Sequence, residues 1–144
     1  MGRLPFEKFK EIFSQVPRTT VEIVLVRDGG IVLSLRDIEP YKGSWHTPGG
    51  TLFHKERVED AVKRVAKEEL DIEVKIDKFL GYWEIPEWTQ PNGFSHPIGL
   101  VFQVQQTSGE LKSDSQSLEL KVFEKLPENM IKEQKDFLEK WIRE

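Results

Sequence analysis

The chain has no cysteine and only two methionines and two tyrosines. Without cysteine there is no disulfide framework and no thiolate metal site. No apolar run approaches the ~18 residues of a membrane-spanning helix. No N-terminal stretch has the layout of a secretory signal. The expectation is a cytoplasmic protein with no membrane partner. Repeats and low-complexity segments are also missing. Positive charge is not in excess: 21 Lys and Arg stand against 25 Asp and Glu, for a formal net charge of −4. Binding to a nucleic-acid backbone needs a basic face, so no nucleic-acid partner is expected. The 144 residues suffice for one domain, 1–144, with a single core.

The informative stretch is 48–72, PGGTLFHKERVEDAVKRVAKEELDI. Pro48-Gly49-Gly50 reads as a flexible turn, followed by Glu56 and then an amphipathic helix over 56–70. Val58, Ala61, Val62, Val65 and, one turn on, Glu69 or Leu70 lie close to one apolar stripe. The helix ends on the adjacent acids Glu68 and Glu69. Two like charges at one helix end repel unless a cation lies between them. Glycine lets a backbone carbonyl come close to a ligand. A glycine turn facing a carboxylate pair therefore predicts a Mg²⁺ site of hard oxygen ligands, with room for water and a phosphate. Mn²⁺ is the other candidate ion.

The spacing Gly50, Glu56, Arg64, Glu68-Glu69 resembles the Nudix hydrolase signature, and Ala66 and Ile72 fit it as well. Five such fixed matches arise by chance on the order of once per 10⁶ starting positions. Two positions depart from the pattern. Val65 stands where a glutamate is expected and Asp71 where a glycine is expected. Arg64 lies eight residues after Glu56 and is placed to pair with it, fixing the loop against the helix. The resemblance implies an α/β class, the Nudix α/β/α sandwich with a mixed β-sheet between helices. It makes Glu56, Arg64, Glu68 and Glu69 the catalytic group.

The rest of the chain fits that class. Phe6, Phe9, Ile12, Phe13 and Val16 give a helix over 4–16 one apolar face. That face either packs on the domain's own sheet or forms a homodimer contact. Residues 19–27 and 31–36 are β-branched runs joined by Asp28-Gly29-Gly30, a hairpin signal. Arg36, at the end of its strand, is either a solvated charge or a clamp for a substrate phosphate or carboxylate. Residues 38–47 read as an irregular connection, with Trp45 packing under the motif loop. His46 and His54 read as polar decoration. Strands are expected at 73–85, 98–105 and 118–123, a mobile loop at 106–117, and a last helix from Pro127 with a stripe of Phe137, Leu138, Trp141 and Ile142. Of the aromatics around the 86–97 loop, Trp83 and Trp88 are the candidates to stack on a base or sugar.

Beyond the motif, the ending of the first helix, Arg36, Gly43-Ser44-Trp45 and Gln116 are similar to the GDP-mannose mannosyl hydrolase subfamily. That resemblance implies a nucleotide-sugar substrate such as GDP-mannose. It also implies a metal held by the Gly49 carbonyl and the Glu69 and Gln116 side chains, with Glu68 beside them, and substrate-facing or supporting roles for Arg36 and Arg64. Ser117 occupies the place of the subfamily's catalytic histidine, Thr51 that of a substrate-binding arginine, and Pro97 that of a tyrosine. Serine cannot hold a proton reversibly near neutral pH. With Glu68 present, substitution at phosphorus is the expected route, on a nucleotide sugar or a nucleoside triphosphate. The base stays open among Glu68, Glu56 and Glu119. The rival expectation is a degenerate domain that binds nucleotides without turnover.

Overall fold

The computed structural model describes residues 3–39, 41–86, 93–112 and 117–143. Trp88 and Gln116 lie outside them. The elements run α1 (Phe6–Phe13), β1 (Arg18–Arg27), β2 (Gly30–Arg36), β3 (Trp45–His46), β4 (Gly49–Thr51), α2 (Val58–Leu70), β5 (Ile72–Glu84), β6 (Pro97–Gly109), β7 (Ser117–Phe123) and α3 (Lys132–Arg143). They build one mixed sheet in the order β3-β2-β1-β6-β5, with β4 added to β1 and β7 to β2.

The predicted hairpin is present. Asp28 and Gly29 both take positive φ, 51° and 80°, as a two-residue turn matched to strand twist requires. β1 is the central strand. It runs parallel to β6 along eight residue pairs and antiparallel to β4 along three. Its side chains divide the core in two. Val21, Ile23 and Leu25 face α2, where Ala61, Val62, Val65, Ala66 and Leu70 are buried. Val24 faces the other way, with Trp45, Trp83, Val101 and Leu138 of α3. Each fully buried valine or leucine contributes about 1.5–3 kcal/mol relative to exposure, so α2 is held by its apolar stripe.

Several elements differ from the sequence reading. Pro48-Gly49-Gly50 leads into strand β4, not a flexible turn, because β1 supplies a ladder for it. The loop expected at 106–117 is shorter, since β6 continues to Gly109 opposite the start of β5. Trp45 is in the core as expected, but its ring packs edge-on against Phe123, 4.7 Å between centroids. α3 starts later than Pro127, and Ile142 is exposed. α1 buries none of its residues. Among the described residues its phenylalanines make ring contacts with one another, Phe94 and Arg18. No helix among the described residues is long and apolar enough to cross a membrane.

Candidate active site

The site is built around β4, whose two glycines face opposite ways. A Cβ on Gly50 would lie 3.1 Å from Val65 of α2, and one on Gly49 would coincide with the carboxyl of Glu22. The strand can pass between the core of α2 and a buried acid only without side chains. Val65 is thus a core residue pressed on Gly50 (1% exposed). It faces the core, as its place in the apolar stripe predicts, while Glu68 is exposed.

The register sets where the carbonyls point. The bonds from the Ile23 N–H to the Pro48 carbonyl and from the Leu52 N–H to the Thr19 carbonyl mark the hydrogen-bonded pairs. Gly49 and Thr51 stand between them, so their carbonyls turn away from β1. The Thr51 carbonyl accepts from Arg64 Nη2 at 2.9 Å. The Gly49 carbonyl, two residues earlier on the same edge, points in the same direction, toward the polar side of α2.

Arg64 organises that side. Its Nε and Nη2 donate to the two oxygens of Glu56 at 2.7 and 3.0 Å, and Nη1 donates to Glu68 Oε1 at 3.2 Å. Its guanidinium also lies 3.7 Å over the Phe53 ring. Glu56 Oε1 accepts from the Phe53 N–H as well. Turned back onto this loop, Glu56 stays outside the helix, which begins at Val58. The Arg64 contact, together with the Phe53 N–H, holds Glu56 below the usual glutamate range despite partial burial. The expected Glu56–Arg64 pairing is therefore present. Glu68 is exposed and also pairs with Arg3, and Glu69 is half-buried.

Among the described residues no three His, Asp or Glu side chains converge as a metal-binding group. Mg²⁺, however, is commonly held by one or two carboxylates, with water and substrate phosphates completing the shell. Glu68, Glu69 and the Gly49 carbonyl offer only hard oxygen donors, and that chemistry fits the ion.

Behind β4, on the face toward α3, lies a buried polar cluster that sequence reasoning missed. Glu22 is buried there. Its Oε2 accepts from Thr20 Oγ1 and its Oε1 from Thr47 Oγ1, each at 2.7 Å. Burial pushes the Glu22 carboxyl up to about 7, against the two hydroxyls and the charges of Arg18 and Arg36. The Thr47 N–H donates to the buried Gln134 of α3 at 2.8 Å. Arg18 Nη1 donates to Thr51 Oγ1 at 2.8 Å. Trp83 borders this cluster: its ring and the Glu22 stem meet over Gly99, and its Nε1 has no partner among the described residues. It is 8% exposed and offers no open face for stacking. Arg36 stands at its strand end, near enough for its charge to act on Arg18, Glu22 and His46. His46 Nδ1 lies 2.7 Å from the Thr47 carbonyl and must carry the proton, and burial lowers its pKa to about 3. His54 is exposed.

A family model described as the NUDIX domain matches residues 16–144, and the chain belongs to the Nudix hydrolases. It is 37% identical over 125 residues to the low-salt glycan biosynthesis protein Agl8 of Haloferax volcanii, covering 85% of this chain and 80% of that one. Similarity to the ADP-ribose pyrophosphatase of Methanocaldococcus jannaschii is 34% over 108 residues, 75% of this chain and 62% of that protein. The crystal structure of a MutT NUDIX hydrolase from Burkholderia pseudomallei superposes with a TM-score of 0.74 at 29% identity, covering 86% and 97% of the two chains.

Proposed function

We propose that this enzyme is a Mg²⁺-dependent hydrolase of a nucleoside diphosphate linked to a second moiety, with a nucleotide sugar such as GDP-mannose as the foremost substrate class. The observation that carries this reading is the Glu56–Arg64–Thr51 network. It fixes Glu56, Glu68 and the Thr51 carbonyl beside β4, the strand that carries Gly49. The relatives, a glycan biosynthesis protein and an ADP-ribose pyrophosphatase, support a diphosphate joined to a sugar. Nudix hydrolases generally use a divalent metal. Gly49, Glu68, Glu69 and Gln116 would hold it, with Mn²⁺ as the alternative ion. When bound, it neutralises the diphosphate and favours attack by water.

The chain's own residues do the positioning. Arg64 locks Glu56 to the 53–56 loop and engages both of its oxygens, so Glu56 serves as an anchor. Glu68 or Glu119 then takes the proton of the attacking water. Arg36 holds a phosphate, and Glu22 and Trp83 form the wall behind β4. Substitution at phosphorus follows from the carboxylates beside the diphosphate. A homodimer through α1, whose Phe6 is 62% exposed, belongs to the same reading.

Hydrolysis of GDP-mannose and ADP-ribose in ¹⁸O-labelled water, with Mg²⁺ and with chelator, tests the reaction. The expected result is Mg²⁺-dependent turnover with label in a phosphate product. Label in free sugar beside unlabelled nucleoside diphosphate would place the cut at carbon. Binding without turnover across a wider nucleotide panel would leave a nucleotide-binding domain.

A further inference from the structure

Two arginines meet at Thr51, and their surroundings differ. Arg64, on the Thr51 carbonyl, is engaged by Glu56 and Glu68. Arg18, on the Thr51 hydroxyl, makes no ion pair among the described residues. The acid on its own strand, Glu22, is already bonded by Thr20 and Thr47.

Arg18 is nevertheless held in place. Nη1 is bonded to Thr51 Oγ1, Nε makes a long 3.4 Å contact to Ser95 Oγ, and the guanidinium lies 5.6 Å over the Phe9 ring. Among the described residues nothing accepts from Nη2. Nor is that atom among the fully buried, unpartnered polar atoms of the described residues, so it keeps some exposure to solvent. Burial lowers its pKa and outweighs both the charge of Glu22, which attracts Arg18, and that of Arg36, which repels it. An oriented, half-buried guanidinium with free donors is the geometry that takes a phosphate by paired N–H contacts.

We infer that Arg18 is a substrate-binding residue. Its free N–H groups hold one phosphate of the diphosphate, on the far side of Thr51 from the acids of α2. This rests on the diphosphate reading above. Thr51 and Phe9 act as positioning groups that aim the guanidinium.

Inorganic pyrophosphate titrated by calorimetry without divalent metal, together with ADP-ribose kinetics, tests the assignment in wild type, Arg18→Gln and Arg18→Lys. Arg18→Gln is expected to weaken pyrophosphate binding about 10- to 100-fold, the range for hydrogen bonds to charged groups, and to raise KM more than it lowers kcat. Arg18→Lys keeps the charge but loses the planar fork, so binding falls about tenfold. If Arg18→Gln does not fold, Arg18→Lys decides. Pyrophosphate binding unchanged in the folded variants, or absent in wild type, overturns the assignment. Wild-type turnover with unaltered Arg18→Gln constants refutes Arg18 alone. Pyrophosphate binding that depends on Arg18, without hydrolysis of any nucleoside diphosphate, refutes the substrate reading alone.

Discussion

Glu22 carries a proton into neutral pH, holding it up to about 7 where a free glutamate releases it near 4.5. The folded chain binds this proton more tightly than the unfolded chain. The resulting stability is complete below 4.5 and is lost as pH rises through about 7. That interval is worth about 3 kcal/mol. His46 works in the opposite sense: with its folded pKa near 3, its contribution is complete above 6.5 and is lost as pH falls. Comparison with Glu22→Gln separates the two. The stability advantage of wild type over that variant, from urea melts, should shrink by about 3 kcal/mol between pH 4.5 and 8, and a constant difference would mean that Glu22 titrates normally. Neither Glu22 nor Arg18 was legible in the sequence. In RTTVEIVLVR a charge among β-branched residues reads as the solvent face of a half-buried strand. Only pairing with β4 and β6, and cover from α3, bury that face. Thr51 departs from the subfamily's arginine, and in the fold a guanidinium reaches Thr51 from position 18, a relation no local spacing encodes.

The α2 element shows what local pattern does convey. Its apolar stripe, its acidic end and the Glu56–Arg64 pair were all readable, because helical period and an eight-residue spacing fix them without tertiary information. Its C-terminus was readable as an anomaly. Asp71, where the family pattern has glycine, sits in the left-handed region at φ 58°, ψ 36°. Its side chain is near Lys67 and Lys112, exposed pairs of small value. A non-glycine residue in this conformation is strained, and glycine is the usual solution at a helix end. Asp71→Gly is expected to stabilise the fold by about 0.5–1 kcal/mol, read as a higher melting temperature, and an unchanged or lower one would show that the lysine contacts outweigh the strain. The short strands β3 and β4 were not readable. Two or three residues carry no periodicity, and their partners on β1 and β2 define them.

On the scale of the whole molecule, the sheet and its two covering helices match the expected sandwich, while α1 stands apart. Phe6 and Val16 remain exposed, and Arg3 and Arg18 tether the helix region at Glu68 and Phe9. Two-fold dimers are the commonest assemblies, and joining two copies through this face would remove its phenylalanines from water. Light scattering at tens of micromolar should give twice the chain mass, 16.8 kDa, and Phe6→Asp should return it to the monomer value. A monomeric wild type would rule the dimer out. The parallel pairing of Arg18 with Pro97 has a consequence for biosynthesis. The hairpin β1–β2 can form as soon as it leaves the ribosome, but the partner that completes β1 is still unsynthesised. Closing such a distant contact is slow. Throughout that interval the nascent chain carries one edge of its central strand uncovered, and that edge is where a chaperone or a neighbouring nascent chain would first take hold.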